Sequence, residues 1–488
     1  MTETIDATRS PDRKTERPLL IGGRPTSGGQ TEPVLFPYNG SEIGRVAVAD
    51  EALVEQALET AVAAAPEIAA LPPWRRAEIL LAAAQLTQER REQLARQMTL
   101  ETGLAVWESR LEVDRTVEIF RGAGEEARRI SATGEIVPID AVPRGEGRYG
   151  RTRRFPVGPV LAITPFNAPV LLVAHKLGPA LAAGNPCIVR PAPKTPLSAL
   201  SVAEIVLEAG APPAAVSVVP SSNELAERMV RDERIKMLSF TGSARVGWYL
   251  KSIAATPRVT LELGGNGAVI VHEDANVDYV AERCSLGGFL RSGQACISVQ
   301  RVYVHTSVVE ELTGKLVERV RALTTGNPLD EGTLVGGLIS EEAAVKAVDL
   351  IEDAVAGGAR VLCGGTRNGT VVAPAVITGA AEKRRICAEE AFAPIVVISP
   401  YDDFDEVLAR ADASPYGLQA GLFTNDLRLV ERAFERLHVG ALIVNDINTF
   451  RVDQMPYGGA KHSGWGREGM RYAIEEMTEQ RLLVVDPR

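Results

Sequence analysis

The chain has 488 residues, 45% of them hydrophobic and 24% charged, and carries a net charge of −10. That length exceeds one ordinary core, so two or three domains are expected, with the composition of a soluble globular protein. The acidic balance lacks the basic footprint of a nucleic-acid binder, and no apolar stretch is long and clean enough to span a membrane. Five cysteines, at 187, 284, 296, 363 and 387, are odd in number and show no C-x-x-C spacing. They predict reduced thiols in a cytoplasmic protein and no metal site. The opening segment, residues 1–20, has no signal-peptide apolar run and predicts a partly disordered arm.

From Asp50 to about Gly103 the pattern is helical, with Asp50 as N-cap and Val54, Ala57, Leu58, Ala61 and Val62 as one apolar stripe. A second stripe holds Ile79, Leu80, Ala83 and Leu86, and a helix over 112–129 presents Val113, Val117 and Phe120. Over 157–262 the texture changes. Short apolar runs at 159–164, 186–190, 215–219, 236–240 and 258–262 alternate with helical patterns at 196–209, 224–231 and 244–254. Repeated strand–helix–strand units predict a mostly parallel sheet, with ligands beyond the carboxyl ends of its strands. A second alternating stretch from 267 to about 444, with strands at 299–304, 360–362, 395–398 and 440–444, predicts a second α/β unit. Residues 480–485 read as one more strand, with no partner nearby in sequence.

Four short segments carry candidate chemistry. Phe240-Thr-Gly-Ser-Ala-Arg-Val-Gly247 ends a strand and opens a helix, so Gly242 and Ser243 sit where free helix N–H groups favour a phosphate. It has fewer glycines than G-x-G-x-x-G, and a plain strand-to-helix turn is the alternative. Leu261-Glu-Leu-Gly-Gly265 places Glu262 at a strand's carboxyl end, facing a cleft or, as for most single Glu residues, solvent. In Ser292-Gly-Gln-Ala-Cys-Ile-Ser298 the thiol of Cys296 can be presented at an open turn, which lowers its pKa; otherwise it is a small buried hydrophobe. Thr164-Pro-Phe-Asn167 follows an apolar strand, and the Asn167 amide is either an oxyanion donor or a turn residue.

In this order, together with Glu389-Glu-Ala-Phe-Ala-Pro394 and Pro456-Tyr-Gly-Gly459, these segments resemble the aldehyde dehydrogenase superfamily from about residue 18 to 485. The pattern is most similar to the branch acting on lactaldehyde, on glyceraldehyde 3-phosphate without phosphorylation, and on phosphonate- or sulfonate-bearing aldehydes. The resemblance implies an α/β fold in three parts. These are a Rossmann-like cofactor domain (1–129 and 151–261), an α/β catalytic domain (262–450) and a small β bridging element (130–150 and 470–488) that makes a homodimer or homotetramer. It implies NAD(P)-dependent oxidation of an aldehyde to a carboxylic acid. Cys296 would be the nucleophile, Asn167 the oxyanion donor and Glu262 the base for water. Thr164, Pro165, Phe166, Gly242, Ser243, Gly247, Leu263, Glu390 and Phe392 would line the cofactor. Lys176 and Glu468 fall at other recurring positions and read as a structural ion pair. Glu262 favours water over coenzyme A as acyl acceptor; a coenzyme A-acylating enzyme and a catalytically silent homologue are the alternatives.

Two departures bear on specificity. Where many NAD-dependent members carry Lys-Pro-Ser-Glu, this chain has Arg190-Pro-Ala-Pro193-Lys194. Pro193 removes a carboxylate that would repel a 2′-phosphate, and Arg190 and Lys194 leave two cations nearby, so NADP is expected to serve as well as NAD. Arg451 falls near a substrate-pocket position of the family, with Arg121 and Arg291 as assistants, and a guanidinium there suits a small, polar, anionic aldehyde. His175 reads as a helix histidine packed under the cofactor domain.

Overall fold

The computed structural model describes residues 16–130 and 134–487. Most of the expected amino-terminal arm lies outside the described residues. Five parallel strands form the centre of an eight-stranded sheet. Cys187–Arg190 and Val216–Val218 lie on one side of Val160–Ile163, while Met237–Thr241 and Val259–Glu262 lie on the other. Alternate residues of Val160–Ile163 enter different cores. Val160 and Ala162 pack with Val173 and Leu177, whereas Leu161 and Ile163 pack with Val54, Leu58 and Leu250. Both faces are therefore covered, which is why these strands read as unbroken apolar runs rather than alternating ones. The strand order reverses between Val160–Ile163 and Met237–Thr241, so the carboxyl ends of these two strands form the switch point at which such sheets bind ligands. Antiparallel strands close the edges, Leu19–Ile21 with Arg24–Thr26 at one and Gly464–Trp465 at the other.

The second alternating stretch forms a seven-stranded sheet in the order Arg360–Cys363, Ala375–Thr378, Ile395–Tyr401, Val299–His305, Gly267–Val271, Gln419–Phe423, Ala441–Val444. It is parallel except for the edge strand Arg360–Cys363. The strand at the carboxyl end, Thr478–Val485, pairs antiparallel along the whole of Tyr149–Pro156, and Ile136–Val137 pairs on the other side. The middle strand of this three-stranded arm continues past position 150 to Pro156.

Helices differ from the periodicity in detail. The stretch from Asp50 to Gly103 is three helices, Glu51–Ala70, Pro73–Glu89 and Arg91–Thr102. Asp50 caps the first, accepting the Leu53 N–H at 2.9 Å. Pro72 and Pro73 end one helix and start the next. Val62 is 41% exposed, and Ala64 and Ile68 continue the buried stripe instead. Helix Pro169–Ala183 holds His175, as expected of a helix histidine, but the sequence does not mark its bounds. All fifteen of its residues are buried, so it is covered on every side and shows no amphipathic period. Among the described residues, no helix is long and apolar enough to cross a membrane.

Candidate active site

The switch point opens on a cavity of about 460 Å³ whose walls include Cys296, Glu262 and Asn167. Asn167 follows the strand Val160–Ile163. Its side-chain amide donates one hydrogen to the Gln294 carbonyl at 2.8 Å, tying the two sheets together at the cavity and leaving a second hydrogen to give.

Cys296 lies just beyond the turn Leu290–Gly293, where Arg291 and Ser292 both hold left-handed backbone at φ 54° and ψ 32°. Such a residue costs roughly 1–2 kcal/mol, so the turn exists only because its surroundings fix it. Glu108 accepts the Arg291 N–H and Glu112 accepts from its guanidinium. Ser292 Oγ donates to the Gly336 carbonyl at 3.0 Å, and Gln294 Oε1 accepts the Ile339 N–H at 3.0 Å. At Gly293, with φ 73°, a Cβ would lie 2.0 Å from the Ala393 carbonyl oxygen, so only glycine fits. The thiol presented by this turn lies 2.9 Å from Tyr457 Oη. Burial pushes the Cys296 thiol up, while the Tyr457 hydrogen bond and the Arg451 charge pull it back.

Glu262 ends the strand Val259–Glu262 and is 4% exposed, yet among the described residues neither of its carboxylate oxygens has a hydrogen-bond partner. Burial and the neighbouring Glu468 push its carboxyl well above the ordinary range. Glu468 goes the other way. Burial alone would raise it, but cations around it, Lys176 and Arg451 among them, hold it well below. Of this pair Glu262 is the carboxyl whose charged form is disfavoured and Glu468 the one whose charged form is favoured. Lys176 Nζ donates to Ser239 Oγ at 3.0 Å and to Glu468 Oε1 at 3.4 Å, the expected ion pair.

Glu390 accepts the Gly265 N–H at 2.9 Å, and burial pushes it up to about 7. Its carboxylate lies so close to Gly264 that a Cβ there would be 2.2 Å away. The Phe166 and Phe392 rings meet edge to face, 5.9 Å between centroids, on the same cavity. Pro165, Gly242, Ser243 and Leu263 line it too. Ser243 starts the helix Ala244–Ile253 without a side-chain capping bond, so the leading N–H groups of that helix stay open for a ligand. Gly247 and Thr164 do not line the cavity. Gly247 packs one turn into the helix, where a Cβ would meet Leu263 Cδ2 at 2.4 Å, and Thr164 is buried with its N–H on the Arg190 carbonyl.

Other expectations need correction. Arg190 is not an available cation: it is buried, and its guanidinium donates to the Ser221 carbonyl and Asn223 Oδ1, both at 2.9 Å. Pro193 and Lys194, just beyond its strand, are exposed. Arg121 does not line the cavity; half exposed, it pairs with Glu118 at 2.6 Å on the helix surface. Arg451 and Arg291 do line it, but neither is free. The Arg451 guanidinium stacks 3.6 Å from the Tyr457 ring centroid and donates to Glu468 at 3.2 Å. His175 is more than a packed histidine, because Nε2 lies 3.1 Å from Asp453 Oδ1 and 3.2 Å from Arg451. Tyr457, Glu108, Glu112, Arg115 and Asp453 had been assigned no role. Of these, Glu108, Glu112 and Arg115 recur at i, i+4 and i+7 in the helix Val106–Ile130, a spacing that sets charged groups on one helix face.

A doubly covered parallel sheet opening at its switch point on a thiol and titratable carboxyls is the arrangement in which α/β enzymes bind their ligands. Residues 24–483 match the Aldehyde dehydrogenase family. A 3-sulfolactaldehyde dehydrogenase of Priestia aryabhattai is 42% identical over 96% of this chain and 98% of its own length. Aldehyde dehydrogenase 21 of Physcomitrella patens, solved with the reaction product succinate, superposes with a TM-score of 0.94 at 39% identity, over 97% of this chain and 98% of that one. Glyceraldehyde-3-phosphate dehydrogenase GapN of Methanocaldococcus jannaschii, solved with NADP, gives 0.90 at 33% identity, over 94% and 100%. The chain belongs to the aldehyde dehydrogenase family and is an NAD(P)-dependent oxidoreductase of aldehydes.

Proposed function

We propose that this protein oxidises a small aldehyde bearing an anionic group to the carboxylic acid, with water as the acyl acceptor and Cys296 as the nucleophile. The observation that carries this reading is the meeting of the Cys296 thiol, the partnerless carboxyl of Glu262 and the Asn167 amide on one cavity. The thiolate attacks the aldehyde carbon, and the oxyanion takes the second hydrogen of Asn167 and the backbone N–H of Cys296. Gly242, Ser243, Leu263 and Glu390 would hold the nicotinamide cofactor, which would supply the hydride acceptor that takes the adduct to a thioester on Cys296. Glu262 then takes a proton from water, whose oxygen attacks the thioester carbon, and the acid departs as the thiolate returns. A buried carboxyl with no other partner suits that second half-reaction, which is why water is favoured over coenzyme A.

For the cofactor, exposed Pro193 puts no carboxylate against a 2′-phosphate, and Lys194 beside it supplies a cation. Buried Arg190 Nε and Ser221 Oγ, both without a hydrogen-bond partner among the described residues, leave polar groups for the adenosine half. NADP is therefore used as well as NAD. The guanidinium groups of Arg451 and Arg291 on the cavity support an anionic substrate, in keeping with relatives named for a sulfonate aldehyde and a phosphate aldehyde. All five cysteines are free, which supports work in the reducing cytoplasm. The half-exposed Leu482, Leu483 and Val484 of the arm support a homodimer or homotetramer.

The test is kcat/KM for matched neutral and anionic aldehydes with NAD and with NADP, on the wild type and on Arg451→Ala. Selective loss of the anionic substrates in the variant is expected, and equal loss of both kinds would refute the anionic reading. Cys296→Ala is expected to abolish turnover. Acyl-coenzyme A as the product, with no free acid, would overturn the choice of water.

A further inference from the structure

The three guanidinium groups on the cavity walls, those of Arg115, Arg291 and Arg451, belong to one continuous chain of opposite charges. Arg291 meets Glu112, and Glu112 lies 3.8 Å from Arg115. Arg115 meets Asp453 at 2.7 Å, and Asp453 lies 3.5 Å from Arg451. Arg451 meets Glu468 at 3.2 Å, and Glu468 meets Lys176 at 3.4 Å. Four cations alternate with three carboxylates, so the chain carries a single uncompensated positive charge. His175, in contact with Asp453 and Arg451, adds none, because burial and Arg451 hold its imidazole deprotonated. The remaining buried acids on the walls, Glu108, Glu262 and Glu390, subtract from the balance whenever they ionise. Lys346, the other cation on the walls, is exposed to solvent and sits near Glu390, and Arg467 donates to the Gly459 and Gly466 carbonyls and does not line the cavity.

We infer that the anionic group of the substrate carries one negative charge, as a sulfonate or carboxylate does, and that a doubly charged phosphate ester is discriminated against. The inference rests on the anionic reading above and sharpens it to a class. A monoanion neutralises the chain. The second charge of a dianion finds every guanidinium already shared with a carboxylate, and an uncompensated charge taken from water into a buried site is costly.

The experiment compares kcat/KM for 3-sulfolactaldehyde, glyceraldehyde 3-phosphate and a neutral hydroxyaldehyde of the same length. At pH 7.5 the sulfonate is expected to exceed the phosphate by about 100-fold, the scale of one uncompensated charge. A phosphate monoester has its second ionisation near pH 6, whereas a sulfonate keeps its charge. The ratio is therefore expected to narrow as pH falls to about 5.5, and taking a ratio cancels those ionisations of the enzyme that affect both substrates alike. Asp453→Asn and Glu112→Gln each unmask a second positive charge and are expected to narrow the ratio at pH 7.5, whatever they do to absolute activity. Phosphate used as well as sulfonate by the wild type, with both above the neutral aldehyde, overturns this inference alone. So does a ratio unmoved in both variants. A neutral aldehyde used as well as either anion overturns the anionic reading itself.

Discussion

Tyr457 gives the sharpest test of how the thiol is tuned. Tyr457→Phe removes one oxygen, which lies 2.9 Å from Cys296 Sγ, and leaves the ring under the Arg451 guanidinium. Burial holds the phenol's own ionisation well above the ordinary range, so its O–H donates to the thiolate. A hydrogen bond to a charged group contributes about 1.5–3 kcal/mol. At about 1.36 kcal/mol per pH unit, its loss moves the midpoint of thiol ionisation up by about one to two units. The assay is the rate of Cys296 alkylation by iodoacetamide across pH, read by mass spectrometry without substrate or cofactor. Below the midpoint the variant is expected to react about 10–100-fold more slowly and to recover at high pH. A midpoint that stays put or falls would show that Tyr457 does not tune the nucleophile, and that the short contact is packing alone.

Glu262→Gln is expected to keep a burst of cofactor reduction while steady-state turnover falls by about 10²–10⁴. Because the Glu262 carboxyl is raised, the wild-type rate should climb as pH rises through its ionisation, and the variant should lack that climb; loss of the burst as well would argue against a role confined to the water step. Arg121→Ala is expected to leave kcat/KM unchanged and stability within about 0.5 kcal/mol, since its partner Glu118 is equally exposed. A tenfold loss of activity on anionic aldehydes would return it to the substrate. Glu101→Ala strips the caps of the helix Pro196–Glu208, where Glu101 accepts the N–H groups of Leu197 and Ser198 at 2.7 and 2.8 Å. Thermal unfolding should show a loss of about 3 kcal/mol. Burial raises this carboxyl from 4.5 to about 7, so the stability its proton contributes is full below 4.5 and lost as pH rises through about 7. The variant should show a flatter profile across that window.

What the sequence disclosed follows from how each feature is encoded. The central parallel strands were legible because burial on both faces leaves unbroken apolar runs between turn residues. Cys296, Glu262 and Asn167 were legible because each sits in a short Gly- or Pro-marked turn at a strand end. The bounds of helix Pro169–Ala183 were hidden by the same burial that makes strands visible, since a helix covered on every side has no stripe to read. The charge chain was hidden for a different reason. Its members stand at 112, 115, 176, 291, 451, 453 and 468, and beyond the helical spacing of 112 and 115 no local pattern relates them. Arg451 could be singled out as unusual, but its pairing with Glu468 and its stacking on Tyr457 exist only once the sheets have met. Arg190 shows the reverse error, in which a cation close to the cofactor segment in sequence turns inward to cap a neighbouring turn.

The order of the sheets along the chain also sets an order in time. The seven-stranded sheet is contiguous, running from Gly267 to Val444. The eight-stranded sheet takes its last strand from Gly464–Trp465, and its core holds Met470, Ile474 and Met477, the last of which accepts a hydrogen bond from Asn185. During synthesis the second unit to emerge is therefore the first to have all its strands, and the earlier one waits, unfinished, for residues made after it. The eight-stranded half is the late-closing half, with apolar surface open to chaperones or to misassembly for as long as the ribosome needs to reach residue 477.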